Sequence, residues 1–429
     1  MRKYLIIIFL SLFFNSPSLA DDGYIKKFTY WLAANSYFQY LDKSTTKINF
    51  KIPKKYFDKI PWDAKPTHAQ LLYRVFHLIE DDKGWSRIGA KASSKPYEFK
   101  SELRDDKEII KEMKNTGLLS YILFENGKIV IDEISPKDRF GKLFKDNTKW
   151  TSASIGKSIT SYLVGHAICD GYIESVDTKL SDWPLLQNTL YENVKLIDLL
   201  NMAAGDQQIS QNNLRKGKGR EKNPNVNTIQ YHMEGIFRDT KPKKNKYNYS
   251  NIVSNIIINY IWFKSEDNFQ NLLDKIFKEK VRIKNDVFFL KQNFRTVRKK
   301  YPVTDESGPL RYSFRADRYD YLRIAKAIMD DWKNDTCVGK YLKTINERKI
   351  KKNEKKNNIN NRTAYGYSRY YGGQFHLTFP GIKKNRNILA LDGAYGQSIL
   401  IDMDKSRIIV INAAHEGYNW NKIAYKRIK

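Results

Sequence analysis

The feature that most constrains this fold is where the strand-like runs fall along the chain. Apolar runs at 118–124 and 129–134 are joined by Glu125-Asn126-Gly127-Lys128, and further β-branched or aromatic runs lie near the other end, at 374–379, 397–402 and 407–413. Asn-Gly between apolar runs predicts a tight hairpin, because both residues tolerate positive φ. Met403-Asp404-Lys405-Ser406 predicts a second hairpin between the last two runs. The stretch between the two ends reads as helix. Ile155, Ile159, Leu163 and Ala167 recur at helical spacing until Asp170-Gly171, and 194–202, 251–263 and 319–329 are further apolar helical stretches. Strands from both ends must therefore meet in one sheet. The predicted fold class is α+β (mixed), an antiparallel β-sheet flanked by helices plus a helical subdomain.

The first twenty residues read as an address. Arg2 and Lys3 precede an apolar run over 4–14 that is short for a membrane span, and Ser18-Leu19-Ala20 is a small-x-small cleavage site before Asp21-Asp22. This is the pattern of a secretory signal peptide, 1–20, which predicts export across the inner membrane to the periplasm. Residues 21–110 mix aromatics, Lys and Pro without clear periodicity and form an N-terminal extension of open role; 111–429 carry the patterned domain. The run at 256–263 is too short to span a bilayer and suits a buried helix. Cys169 and Cys337 are the two cysteines, too few for a disulfide scaffold or a four-cysteine zinc site. They either pair in an oxidising compartment or stay as two buried thiols.

With 76 Lys and Arg against 47 Asp and Glu, the formal charge is +29. For an exported chain the matching partners are anionic envelope polymers or lipid headgroups. The other reading is a solvated Lys-rich surface, which suits the basic runs at 215–220, 241–246 and 349–356, broken as they are by Gly, Asn or Pro. No aromatic-interleaved basic patch or nucleic-acid motif is present, so no nucleic-acid partner is expected. The six histidines show no zinc spacing, and there is no Gly-x-Gly-x-x-Gly or phosphate-binding loop; no metal and no cofactor are expected.

Three segments have the residue types of a reactive site. Ser154-Ile155-Gly156-Lys157 opens the first helix, after the approach Trp150-Thr151-Ser152-Ala153. Positions i and i+3 share a helix face, so the Ser154 hydroxyl and the Lys157 amine are neighbours. A lysine acts as a base only once burial has lowered its pKa, and a helix N-terminus can stabilise an oxyanion. The spacing alone is common: Ser44-Thr45-Thr46-Lys47 matches it too, and Ser154 also suits a plain N-cap. Tyr249-Ser250-Asn251 opens another apolar helix, although Tyr191-Glu192-Asn193 has the same form. Leu391-Asp392-Gly393-Ala394-Tyr395-Gly396-Gln397 leads into a strand, with glycines that let a ligand approach the backbone or simply make a turn.

Taken in order, these segments resemble the serine β-lactamase and penicillin-binding protein superfamily. The resemblance is nearest to its class C-like branch of esterases, 6-aminohexanoate-dimer hydrolases and D-amino-acid peptidases. The segment 197–206 (IDLLNMAAGD) is similar to that branch's Leu-Leu-x-Met-x-Ser-Gly element, 247–251 to its Tyr-x-Asn element, 312–331 to the helix before its last motif, and LDGAYGQSILID to its Gly-x-x-Gly-Gln strand. The resemblance spans about residues 113–415. It implies that Ser154 is the acylated nucleophile and Lys157 its activating base. It implies that Tyr249 shares protons with that lysine, that Asn251 sits in the substrate site, and that the backbone N–H groups of Ser154 and Ala394 form the oxyanion hole. Where a β-lactamase has Lys-Thr-Gly, this chain has Leu391-Asp392-Gly393, without the cation. Gly393 and Asp392 are thus the candidate substrate-binding residues, with Asp392 either favouring a substrate amine or pointing away. The implied activity is hydrolysis of a small-molecule or peptide-like ester or amide. The alternatives are a non-catalytic envelope-binding module on the same fold and a β-lactamase or D,D-peptidase.

Overall fold

The computed structural model describes residues 85–136, 145–206, 229, 232–243, 245–292, 310–352, 368–382, 386–413, 423–424 and 426–428. The expected leader, the stretch 21–84 and the basic run 215–220 lie outside the described residues.

The elements follow in chain order: β1 Trp85–Ala90, β2 Lys100–Ser101, α1 Lys107–Asn115, β3 Leu118–Glu125, β4 Lys128–Ile134, β5 Trp150–Thr151, α2 Ile155–Cys169, α3 Leu196–Leu200, α4 Asn251–Ser265 and α5 Phe269–Asp274. Then come β6 Val287–Gln292, β7 Leu310–Ala316, α6 Arg318–Lys333, α7 Cys337–Glu347, β8 Ile350–Lys351, β9 Tyr370–Gly372, β10 Phe375–Leu377, β11 Ile388–Gly393, β12 Gln397–Asp402, β13 Arg407–Ala413 and α8 Lys426–Ile428. The main sheet runs β2-β4-β3-β13-β12-β11-β10-β9-β8. Its centre is the β3–β13 pairing, which joins the two ends of the chain as the strand runs require, with Arg407 opposite Glu125 and Ile411 opposite Tyr121. Asn126 and Gly127, both at positive φ, close the β3–β4 hairpin.

Period-two alternation sends the sheet's side chains into two separate layers. Leu389, Leu391, Ile399, Ile401, Ile408 and Val410 pack with Ile155 and Ile159 of α2. Ile388, Ala390, Leu400, Ile409 and Ile411 pack instead with Ile109 and Met113 of α1 and with Ile423 and Ile428 near the C-terminus. The sheet is therefore sandwiched between helical layers, and α2 is buried from Ile155 to Ala167. The apolar stretch at 256–263 forms part of α4, buried from Val253 to Trp262.

A second, four-stranded sheet, β1-β6-β7-β5, is not signalled by the sequence pattern. Its β1 comes from the N-terminal stretch whose role was open and pairs with β6 over six positions, Trp85 opposite Gln292 to Ala90 opposite Val287. Residues 100–101 pair with β4 of the main sheet. The described part of 21–110 is thus woven into both sheets. Cys169, at the end of α2, is disulfide-bonded to Cys337, at the start of α7. Lys352, inside a run read as solvated, is buried, and its Nζ donates to Ser368 Oγ at 3.0 Å.

Candidate active site

The Ser154 turn is held from two sides. β5 pairs with β7, and Ser152 extends that pairing: its N–H donates to the Phe314 carbonyl and its Oγ accepts from the Phe314 N–H, both at 2.8 Å. Ala153 then turns at φ 44°, a left-handed conformation that costs a non-glycine residue about 1 kcal/mol. This kink lets an extended strand feed directly into α2. From the other side comes the end of β11. A Cβ on Gly393 would stand 2.5 Å from the Ser152 carbonyl oxygen and 3.1 Å from Ala153 Cβ. Only glycine fits, and the backbone at Gly393 lies against the turn at Ser152 and Ala153.

Ser154 is in helical conformation and makes no side-chain cap hydrogen bond. The plain N-cap reading therefore does not describe its hydroxyl. One turn on, Lys157 is 1% exposed. Its Nζ donates to Asn251 Oδ1 at 2.6 Å and lies 3.3 Å from the ring centroid of Tyr312 and 5.1 Å from that of Tyr249. Burial, reinforced by the positive charge of Arg311, holds the Lys157 amine well below the usual lysine range. A lysine amine whose pKa is lowered by burial is the condition that the sequence spacing needed and could not itself provide.

The segment carrying Tyr249 is positioned by the 197–206 segment. The Asn248 N–H donates to the Met202 carbonyl at 2.7 Å, and the Lys243 N–H to the Gly205 carbonyl at 3.2 Å. Gly205 is at φ 73°, and a Cβ there would meet the Lys243 carbonyl oxygen at 2.4 Å. Tyr191 donates to the buried Asp206 at 2.9 Å. This is the physical content of the Leu-Leu-x-Met resemblance: a clamp on the irregular segment that leads through Tyr249 into α4. The Tyr249 ring also packs edge-on against Tyr371, 6.1 Å between centroids.

Ser154, Lys157, Tyr249, Asn251 and Gly393 are brought to one place. Asp392 is not. Gly393 faces Ser152 and Ala153, so Asp392, one residue earlier, falls on the face that carries Ile388 and Ala390. It is buried, and by this alternation its side chain leaves the face that meets α2.

The sequence reading missed Tyr312. Its hydroxyl donates to Asn251 Oδ1 at 2.9 Å, and its ring centroid lies 3.3 Å from Lys157 Nζ. Its N–H donates to Asn255 Oδ1 at 3.2 Å. A Cβ on Gly156 would stand 1.9 Å from the Tyr312 carbonyl oxygen, so the glycine between Ser154 and Lys157 is what allows β7 to bring Tyr312 over the lysine. A signal was present in that glycine, but only the partner strand gives it meaning.

The architecture is shared with solved structures of proteins named as a hydrolase and as penicillin-binding proteins. Solved structures sharing the fold include a Bacillus anthracis protein named as a 6-aminohexanoate-dimer hydrolase, 15% identical over 83% of this chain and 92% of that one, TM-score 0.56. They also include a penicillin-binding protein from Bacillus halodurans, 13% identical over 76% of this chain and 99% of that one, TM-score 0.50. A third is a penicillin-binding protein homologue from Caulobacter crescentus, 10% identical over 72% of this chain and 90% of that one, TM-score 0.50. No family profile matches the chain, and no curated protein matches its sequence.

Proposed function

We propose that this protein is a serine hydrolase that cleaves an ester or amide bond through an acyl-enzyme on Ser154. The observation that carries the reading is a buried lysine of lowered pKa on the same helix face as a serine whose hydroxyl is not used as a cap. The Ser154 oxygen attacks the carbonyl carbon while its proton passes to neutral Lys157. The tetrahedral oxyanion is stabilised by the backbone N–H groups of Ser154 and Ala394. On collapse, the bond to the alcohol or amine breaks, and that leaving group takes the proton back from Lys157 with Tyr249 alongside. Water then repeats the sequence on the acyl group, returning Ser154 with its proton and releasing the acid. The expected leader at 1–20 and the Cys169–Cys337 bond both support work in an oxidising, exported compartment. The excess of Lys and Arg supports contact with anionic envelope polymers there.

The test is intact-mass labelling with a fluorophosphonate, beside the Ser154→Ala variant. One adduct on the native protein and none on the variant is the expected result. A folded protein that takes no adduct sinks the proposal and leaves a binding module on the same fold.

A further inference from the structure

The turn between β9 and β10 consists of Gly373 and Gln374, with Phe375 opposite Gly372. Both turn residues are at positive φ, 58° and 67°. That is the pattern of a type I′ hairpin, whose second position favours glycine. Here it carries a glutamine, 1% exposed. We infer that Gln374 is a positioning residue for the reaction: it ties α2 to α4 one turn behind Ser154 and Asn251, and so fixes the Lys157–Asn251 contact between the two helices. The inference rests on the acyl-enzyme reading and deepens it.

Hydrogen bonds to three helices carry the tie. The Gln374 carbonyl oxygen accepts from Ser158 Oγ of α2 at 2.6 Å. Its Oε1 accepts from Ser254 Oγ of α4 at 2.8 Å. Its N–H donates to the Leu200 carbonyl of α3 at 2.8 Å. Helical spacing places the two serines directly behind the site. Ser158 follows Ser154 by four positions and Ser254 follows Asn251 by three, so each shares a helix face with the site residue one turn earlier. Ser158 is also the neighbour of Lys157 in the chain. The two helices are thus joined twice: by Lys157 Nζ donating to Asn251 Oδ1 at 2.6 Å, and one turn on through Gln374. Ser158 and Ser254 are both buried, so each hydroxyl needs the acceptor that Gln374 supplies.

The turn is itself held from outside. The Gly373 N–H donates to Asn201 Oδ1 at 2.9 Å, and a Cβ on Gly373 would stand 2.1 Å from Ile345 Cδ1. Leu200 and Asn201 belong to the 197–206 segment, whose Met202 carbonyl holds the Asn248 N–H. One segment therefore anchors both the approach to Tyr249 and the glutamine. Glutamine is not what the turn alone would select. A φ of 67° is disfavoured for a residue with a Cβ, and Gln374 Nε2 is buried with no hydrogen-bond partner among the described residues. Glycine would remove both defects and keep the backbone bonds to Ser158 and Leu200. What glycine cannot supply is the reach to Ser254. Residues held against local preference cluster at functional sites, and here the preference is overridden by the link to α4.

The experiment measures the rate of fluorophosphonate modification of Ser154 from neutral to alkaline pH, with urea midpoints beside it. It compares native protein, Gln374→Gly, Gln374→Met, Ser254→Ala and the Gln374→Met/Ser254→Ala double variant. Each single change breaks the link to α4, and the rate should fall about 10-fold. The pH midpoint of labelling should also move upward, as water reaches an amine whose pKa is held down by burial. Gln374→Met and Ser254→Ala remove one bond from its two sides, so the double variant should label no more slowly than the slower single one. Rate losses that multiply in the double variant would overturn the tie. A purely structural role would lower the urea midpoint and leave the rate and pH midpoint of the folded variants native, which also overturns it. In that case, if Ser154→Ala takes no adduct, the acyl-enzyme reading stands without Gln374. If native protein takes no adduct, both fall together. Should the Gln374 variants not fold, Ser254→Ala, which removes a single oxygen atom, decides on the same two readouts.

Discussion

The two ends of α2 are equally buried and are held in opposite ways. At the C-terminal end Tyr162, Ser161 and Cys169 each have a close partner. Tyr162 donates to Asp331 at 2.6 Å, Ser161 and Tyr341 share a hydrogen bond of 2.8 Å, and Cys169 is bonded to Cys337. Asp331 also accepts from Thr336 at 2.8 Å and pairs with Lys280 at 2.6 Å. At the N-terminal end a lysine lies in the interior beside an amide, two aromatic rings and the positive charge of Arg311, and the residue before the serine is held at φ 44°. The C-terminal end is tied by a disulfide and by these hydrogen bonds around a buried imidazole. The other keeps a conformational strain and a desolvated amine, and such departures collect where chemistry is done.

The largest effect separating the two ends is expected at Lys157. Lys157→Met should slow modification of Ser154 by 10³-fold or more. It should also raise Tm by a few degrees, because an ionisable group leaves a site that opposes its charge. The pH dependence of stability provides the sign. The native amine gives up its proton well below 10.5, the value it has in the unfolded chain. Across that interval the unfolded state binds the extra proton, so stability rises with pH. The methionine variant should lose that slope. A variant that is inactive and also less stable would mean that the amine contributes to folding, and the contrast between the ends would vanish.

His166 tests the other end. Burial holds its imidazole down to about 4, from an ordinary 6.5, with its ring edge-on to Tyr162 at 4.7 Å. As pH falls through that window the unfolded chain takes up a proton that the native chain refuses. Stability should therefore drop by about 3 kcal/mol between pH 6.5 and pH 4. Urea midpoints along the series measure this, and His166→Gln should flatten the decline without changing Ser154 labelling at pH 7.

How far the sequence showed these differences depended on how local each was. The hairpin at Asn126-Gly127, the length of α2 and the serine–lysine spacing are local patterns, and all are present in the structure. The four-stranded sheet was hidden because β1 and β6 are about two hundred residues apart and neither alternates clearly. α7 went unread although Thr336 caps it by accepting from the Gly339 N–H. The facing of Asp392 was illegible for a different reason. All six residues of β11 are buried, so alternation between apolar and polar does not mark which face meets α2; only the contact of Gly393 with Ser152 settles it. Tyr312 is a single aromatic on a strand, and it covers Lys157 only once β7 lies across α2.

The smallest effect is the most discriminating, because both ends of α2 carry a glycine at a helix–neighbour contact. A Cβ on Gly156 would meet the Tyr312 carbonyl oxygen at 1.9 Å, whereas one on Gly165 would meet the ring of Tyr341 at 2.7 Å. Backbone in a paired strand cannot move aside cheaply; the edge of a tyrosine ring on α7 can turn. Alanine also brings about 1 kcal/mol of helix propensity at either position, against an overpacking cost of about 1–3 kcal/mol. Gly165→Ala should therefore come out near zero. Gly156→Ala should lose about 2 kcal/mol and slow Ser154 modification about 10-fold as Tyr312 is pushed off the Lys157 amine. Equal losses of stability at the two positions, with no change in labelling at Gly156→Ala, would show that β7 yields as readily as a side chain and that the N-terminal end of α2 is no more tightly constrained than its C-terminal end.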